Sequence, residues 1–255
     1  MKKLLLIVSV FTILGLQPSL AQVVAQAGPI KVSVATESPD FPEASLAANV
    51  ALKGDTAQVS FTVENYALGN QTADASTKRC ANSAKGQHIH YIIDNGAYEA
   101  LYLPSNKSVL KPGKHLLVAF LSRSYHESIK HPKAAIVQQI SIGQNTDADL
   151  NLKQPILVFS RPKGIYLGAD TAHVLLDFYL FNTKLSKKGN KVRLSIDGKV
   201  IGYLDAWMPY WMEGLSMGEH TIRLELVDVK GFVIKGLYTD VTKKITLAAA
   251  EPIKR

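Results

Sequence analysis

The chain says nearly the same thing twice. Asp55-Thr56-Ala57 returns as Asp170-Thr171-Ala172, His88 to Asp94 as Lys191 to Asp197, and Pro112-Gly113-Lys114-His115 as Met217-Gly218-Glu219-His220. A repeat of this kind restricts the chain to folds that about 100 residues can close around one core. It also makes each copy a control for the other. Residue types present in both report the shared fold, and those confined to one copy are the candidates for function.

Alternating apolar and polar residues dominate both copies, with almost no sustained helical periodicity. In the first copy the pattern predicts strands at Lys31 to Ala35, Gln58 to Asn65, Gln87 to Asp94, Ala97 to Leu103, His115 to Ser122 and Ala135 to Ile142. In the second it predicts Ile156 to Ser160, His173 to Phe181, Lys191 to Asp197, Val200 to Asp205, His220 to Val227 and, with a break, Ile234 to Leu247. Asp94-Asn95-Gly96 and Asp197-Gly198 are hairpin-turn signals, because Asn, Asp and Gly accept the positive φ of tight turns. The expected fold is all-β: two tandem immunoglobulin-like antiparallel β-sandwich domains arising by internal duplication. Boundaries fall at 28–142 for the first sandwich, 143–154 for a polar linker and 155–248 for the second.

Residues 1–21 read as a signal peptide, with Lys2-Lys3, an apolar stretch from Leu4 to Leu16, and Ser19-Leu20-Ala21 before the cut. That stretch is shorter than the about 20 residues of a membrane span, so a periplasmic or secreted mature chain without a transmembrane segment is expected. The single cysteine, Cys80, cannot staple the fold, which must rest on its core. Charge separates the copies. Residues 22–150 hold eleven basic and eleven acidic side chains, and residues 151–255 hold sixteen and ten. Five of the seven histidines lie in the first copy.

Comparing offsets locates the differences. Asn65 and Asn182 are 117 apart but Asp94 and Asp197 only 103, so the first copy carries 14 extra residues, roughly Gln71 to Lys85. The insertion contains Cys80 and leads into His88-Ile89-His90. Residues i and i+2 of a strand share a face, so two imidazoles stand side by side, a spacing that suits copper or zinc. Alignment with Lys191 and Arg193 places them on the outward, solvated face, with His126 and His131 as the candidates to complete a metal site. His115 has a counterpart in His220 and reads as a turn residue. A second candidate set is ligand-binding: Arg123 and Ser124 at a strand end as oxyanion donors, Lys191 and Arg193 beside the basic turn of Lys184, Lys187 and Lys188, and Tyr210 and Trp211, which copy one replaces by Ser105 and Asn106. The aromatic-x-Pro shared by Tyr102-Leu103-Pro104 and Trp207-Met208-Pro209 reads as a structural crossing between sheets. Hydrolase, zincin and phosphate-loop motifs are missing from the sequence, so no catalytic residue is assigned and the chain is read as a non-enzyme.

Gly86-Gln87-His88-Ile89-His90 resembles the copper-ligand strand of copper–zinc superoxide dismutases, but the next histidine, His115, lies 25 residues on, and no zinc loop is implied. Ser122-Arg123-Ser124-Tyr125-His126 is similar to the phosphate-reading segment of forkhead-associated domains, with one extra residue before the histidine. Across residues 150–247, Ser160-Arg161-Pro162-Lys163-Gly164, Leu176 to Leu180 with Asn182, Trp207 to Tyr210 and Gly214 to Gly218 resemble a family of exported bacterial tandem β-sandwich proteins often labelled phosphopeptide-binding. That resemblance implies a non-catalytic binding protein for phosphorylated or other anionic peptides or glycans. The expected partners are a peptide, a protein or an envelope glycan, and not nucleic acid. The alternative is copper or zinc handling through the His-x-His strand, with no other cofactor.

Overall fold

The computed structural model describes residues 22–35, 37–144 and 148–249. The expected signal peptide and part of the expected linker lie outside them. The described residues contain no helix long and apolar enough to cross a membrane. The strands are β1 (Val23–Ala27), β2 (Ile30–Val34), β3 (Ser45–Lys53), β4 (Thr56–Glu64), β5 (His88–Ile93), β6 (Glu99–Leu101), β7 (Ser105–Val109), β8 (Gly113–Ser122) and β9 (Ala135–Ile142). They continue as β10 (Ile156–Arg161), β11 (Gly164–Leu167), β12 (Val174–Phe181), β13 (Lys191–Ile196), β14 (Lys199–Leu204), β15 (Tyr210–Glu213), β16 (Gly218–Val227) and β17 (Asp240–Ala248).

Each copy closes as a two-sheet sandwich of immunoglobulin-like order. The first pairs β3-β4-β7 over β6-β5-β8-β9. In β4, Ala57, Val59 and Phe61 alternate inward to meet Ile89 and Tyr91 of β5 and Leu117, Ala119 and Leu121 of β8. The second repeats the plan with β10-β12-β15 over β14-β13-β16-β17 and gains β11, which runs parallel to β17.

The duplication extends to single hydrogen bonds. Asp94 and Asp197 both sit at positive φ, 52° and 50°. His115 Nδ1 lies 2.6 Å from Asp94 Oδ2 and His220 Nδ1 lies 2.7 Å from Asp197 Oδ2. Each Nε2 donates to a backbone carbonyl four residues back, Lys111 O and Ser216 O, at 2.8 Å. The paired histidines are turn residues. Asn65 and Asn182, at φ 54° and 56°, likewise tie back to carbonyls of a preceding segment, at Glu43 and at Leu152 and Gln154.

One boundary differs from the sequence reading. Ile30–Val34, assigned to the first sandwich, pairs antiparallel with β15 in the register Val32↔Met212, and β1 adds beyond it. Val32 is buried in the core of the second sandwich. A strand's own alternation says that it needs a sheet, not which sheet has an open edge, and here β15 supplied one.

The outer face of the first unit's β5-β8-β9 sheet is not solvated. Ile92, Leu116, Val118 and Phe120 pack against Ile156 and Val158 of β10 and Tyr179 of β12, forming a third apolar cluster between the sandwiches. Polar ties flank it. Lys130 Nζ reaches Asp177 Oδ1 at 2.7 Å, Tyr179 donates to His131 O at 2.9 Å, and Lys243 Nζ donates to Gly96 O at 3.1 Å. The linker's described part joins in: Leu150 and Leu152 pack on this cluster. Strand β5 is therefore covered on both faces, as buried central strands are.

Candidate functional site

Because that outer face meets the second unit, His88 and His90 are fully buried. The outward, solvated position expected from Lys191 and Arg193 is corrected on this point. The alignment of the copies is right, but one copy's outer face became an internal interface. The two rings point into the seam, where His126 joins them. His90 Nε2 lies 3.0 Å from His88 Nε2, and His126 Nδ1 lies 3.1 Å from the same atom.

Among the described residues, these three are the group of His, Cys, Asp and Glu side chains placed to hold a metal ion. His126 is half-buried and forms the rim. The fourth metal candidate, His131, lies elsewhere and donates from Nε2 to Phe41 O at 2.9 Å.

How His126 reaches the cluster is the clearest mark of specialisation. The turn after β8 matches the turn after β16 bond for bond. Ser122 bridges Ser128 as Val227 bridges Val233. Arg123 N donates to Glu127 O as Asp228 N donates to Phe232 O, and His126 N to Arg123 O as Gly231 N to Asp228 O. The equivalent positions are thus His126, at φ 70°, and Gly231, at φ 85°. A left-handed backbone is glycine's natural place, and a side chain there costs of order 1 kcal/mol. The first copy carries that strain and places an imidazole on the other two.

The insertion of 71–85 holds this turn in place. Thr72 and Ser124 exchange hydrogen bonds at 3.0 and 3.2 Å, Ser83 N donates to Ser124 O at 2.9 Å, and Tyr125 donates to Asp74 Oδ1 at 3.0 Å. Gly86, at φ 83°, closes the insertion. A Cβ there would collide with the Gly69 backbone.

The hydrogen-bond partners set the tautomers. His88 Nδ1 must donate to Gly86 O, 2.8 Å away, because a carbonyl only accepts, so the Nε2 of the neutral ring is a bare lone pair. Ser160 Oγ of the second unit meets His90 Nδ1 at 2.9 Å, and Tyr98 Oη meets His126 Nδ1 at 3.1 Å. Tyr98 also stacks flat on His90, with centroids 3.6 Å apart.

No carboxylate belongs to the cluster. Its charged neighbours are Arg161 and Lys163, with Lys163 Nζ 4.2 Å from the Tyr98 ring centroid and Arg161 Cζ 5.3 Å from it. Burial first, and then the neighbouring rings and these cations, drive the imidazoles toward the neutral form. His88 is lowered to about 4 despite the opposing bond from Gly86, and His90 and His126 are pushed well down. Each ring is held in its neutral form, with one lone-pair nitrogen and one N–H.

The ligand-binding set does not assemble. Arg123 is saturated internally by Glu127 at 2.9 Å, Ser128 O at 3.3 Å and Pro39 O, and Ser124 is buried beneath the insertion. Neither faces a ligand. Tyr210 and Trp211 are buried strand residues of β15, Tyr210 donating to Ala206 O at 2.6 Å and Trp211 packing on Ala35 and Leu175. They are core. Arg193 forms a two-toothed pair with Glu225, at 2.7 and 2.6 Å, and Lys191 opens β13 at the far end of the second sandwich.

Sequence reasoning missed Tyr98, Ser160, Arg161 and Lys163. The run Ser160 to Gly164 stood out in the sequence, but nothing local says that it meets the first copy.

Fold and site together define a tandem β-sandwich protein with a buried three-histidine cluster in the seam between its units. No family model matches the chain, and no curated protein matches it. Among solved structures it is similar to the fibronectin(III)-like modules of Clostridium thermocellum CbhA, at 17% identity over 38% of this chain and 100% of that one, with a TM-score of 0.30. It is also similar to the central fibronectin-III array of RIM-binding protein, at 8% identity over 84% and 72%, with a TM-score of 0.29. A third is SGBP-B of the Bacteroides ovatus mixed-linkage glucan utilization locus, solved with a mixed-linkage heptasaccharide, at 15% identity over 84% and 47%, with a TM-score of 0.21. At such scores the sandwich assignment rests on this chain's own sheet order.

Proposed function

We propose that the protein is an exported, non-catalytic metal-binding protein that holds a copper ion, with zinc as its competitor, on His88 Nε2, His90 Nε2 and His126 Nδ1. The observation that carries the reading is the convergence of three imidazole nitrogens in a seam with no acidic side chain among them. One contact can be a hydrogen bond: His90 Nε2–H can donate to His88 Nε2 while Ser160 donates to His90 Nδ1. If Tyr98 then donates to His126 Nδ1, that nitrogen faces His88 Nε2, whose one lone pair already accepts from His90, with no proton between the two at 3.1 Å. An electron-pair acceptor between them resolves the conflict. Metal–imidazole bonds of about 2.0–2.1 Å place nitrogens about 3.3–3.6 Å apart, so the pairs at 3.0 and 3.1 Å need to open by a few tenths of an ångström, while the third pair, His90 Nε2 and His126 Nδ1, lies within 4.8 Å.

The outer bonds are those of metal sites, in which each ligating ring is oriented by a partner on its other nitrogen, here Gly86 O and Ser160 Oγ. Copper is favoured in either oxidation state. Among divalent first-row ions the affinity of nitrogen sites peaks at Cu(II), and a site flanked by Arg161 and Lys163 penalises the singly charged Cu(I) less than the doubly charged Zn(II). Export rests on the Lys2 to Ala21 leader pattern.

Titration of the metal-free protein with Cu and Zn, read by calorimetry and by competition with a chromophoric chelator, tests the reading. One tight equivalent is expected, lost in His88→Ala and His90→Ala. Absence of binding, or equal binding by the variants, refutes it.

A further inference from the structure

We propose that the end of the second sandwich distal to the histidine cluster is a docking surface for an anionic lipid bilayer. The turn after β16 is the structural twin of the turn that holds His126, but it faces the other way. Where the first copy buries Ser124, Glu127 and Ser128, the second exposes Val229 by 63%, Phe232 by 68% and Val233 by 42%. Three large apolar side chains on one hairpin tip are a cost in water with no return inside the fold.

The tip is also preformed. Asp228 Oδ1 accepts from Lys230 N at 2.8 Å and from Phe232 N at 3.0 Å, and Arg193 donates to Gly231 O at 3.2 Å. A loop held in one conformation has little entropy left to lose on docking.

Cations surround it. Lys191 opens β13 opposite Val227, so the turn of 182–190, bearing the exposed Lys184, Lys187 and Lys188, leaves the same end, and Lys230 sits within the tip itself. Of the carboxylates there, Asp228 caps its own turn, Glu225 is paired with Arg193 and Asp240 with Arg223, leaving Asp205. Apolar residues that reach past a ring of lysines match a layer of anionic headgroups over hydrocarbon. That pairing of a short hydrophobic insertion with a polybasic rim is the two-signal arrangement reversible membrane attachment needs.

Flotation of the full mature chain with vesicles of phosphatidylcholine, and with vesicles containing roughly one-third phosphatidylglycerol, tests the proposal. Wild type is expected to float only with the anionic vesicles. Phe232→Ser, and separately Lys187→Glu with Lys188→Glu, are each expected to lower the partition about tenfold or more while copper affinity stays unchanged. Loss of copper binding with vesicle binding intact would sink the metal reading alone. The proposal is overturned if wild type floats with neither or with both vesicle types equally. It is also overturned if Phe232→Ser floats like wild type, which would mark the surface as a site for soluble polyanions or protein instead.

Discussion

Replacing His126 by glycine, alongside its replacement by alanine, separates what the backbone wants from what the site needs. Both variants remove the imidazole, its contact with His88 Nε2 and its bond from Tyr98, and both leave a similar void, so these losses cancel in the comparison. What remains is the backbone at φ 70°. Alanine keeps a Cβ in the left-handed region at a cost of about 1–2 kcal/mol, whereas glycine sits there freely but gives back about 0.5–1 kcal/mol through its looser unfolded chain. The glycine variant should therefore be more stable than the alanine variant by about 0.5–1 kcal/mol, or roughly 2–3 °C in Tm for a chain of this size. Gly231, at φ 85° in the twin turn, shows that the fold accepts the residue. Copper affinity should fall at least a hundredfold in both. Urea unfolding of the metal-free proteins and chelator competition read the two quantities. An alanine variant as stable as the glycine variant would refute the strain argument, and a glycine variant that binds copper like wild type would refute the site.

Further outcomes follow from the same geometry. Arg161→Met should raise zinc affinity at least tenfold and copper(I) affinity less, because the removed charge opposes a dication more; equal shifts in calorimetric titration would contradict the charge argument. Because the folded-state value of His88 is lowered to about 4, the unfolded chain binds more protons on acidification from its ordinary value near 6.5. The stability of the metal-free protein should drop by about 3 kcal/mol from this residue as pH falls through that window, and His88→Phe should flatten the profile. The imidazoles of His115 and His220 are raised: although burial lowers both, the hydrogen bonds they donate to Asp94 and Lys111 O in one and to Ser216 O and Asp197 in the other outweigh it. Their contribution has the opposite sign, full below the ordinary histidine value and lost as pH rises through the folded one, and Asp197→Asn should remove the His220 share in alkaline-side denaturation curves. Lys130→Met leaves Asp177 buried without its partner and should cost about 3–5 kcal/mol, recovered in large part by adding Asp177→Leu; a cost below 1 kcal/mol would mean that the seam is not held as described. Gly86→Ala should lose ~2 kcal/mol or more, since the new methyl group meets the Gly69 backbone at positive φ.

Strand periodicity, turn chemistry and the repeat itself are local properties, and they were legible. The alternation of Gln58 to Asn65, realised as Thr56–Glu64, the turns at Asp94-Asn95-Gly96 and Asp197-Gly198, the doubled turn histidine and the aromatic-x-Pro crossings belong to each unit alone, and they appear in the structure, whereas β3, β7 and β15 were not marked by the pattern. Each rests on side chains within one sandwich and on backbone preferences that neighbours in sequence dictate.

The site is not local. His88 and His90 were singled out by spacing, and their shared face followed from strand geometry, but whether that face met water depended on a second sandwich whose apolar strands β10 and β12 needed cover. Tertiary packing within each unit uses Arg123 and Ser124 as internal struts of the first and Tyr210 and Trp211 as core of the second, and β15 draws β1 and β2 to the far unit. His126 lay in plain sight beyond β6, β7 and β8; only the match of its turn to the one around Gly231 shows why an imidazole stands where glycine belongs. The repeat determines the two folds, because a fold is built from short-range rules repeated along the chain. The docking of one copy on the other decides the setting of the histidines, because it buries the face they share, while the insertion and the left-handed turn of the first copy bring His126 to them.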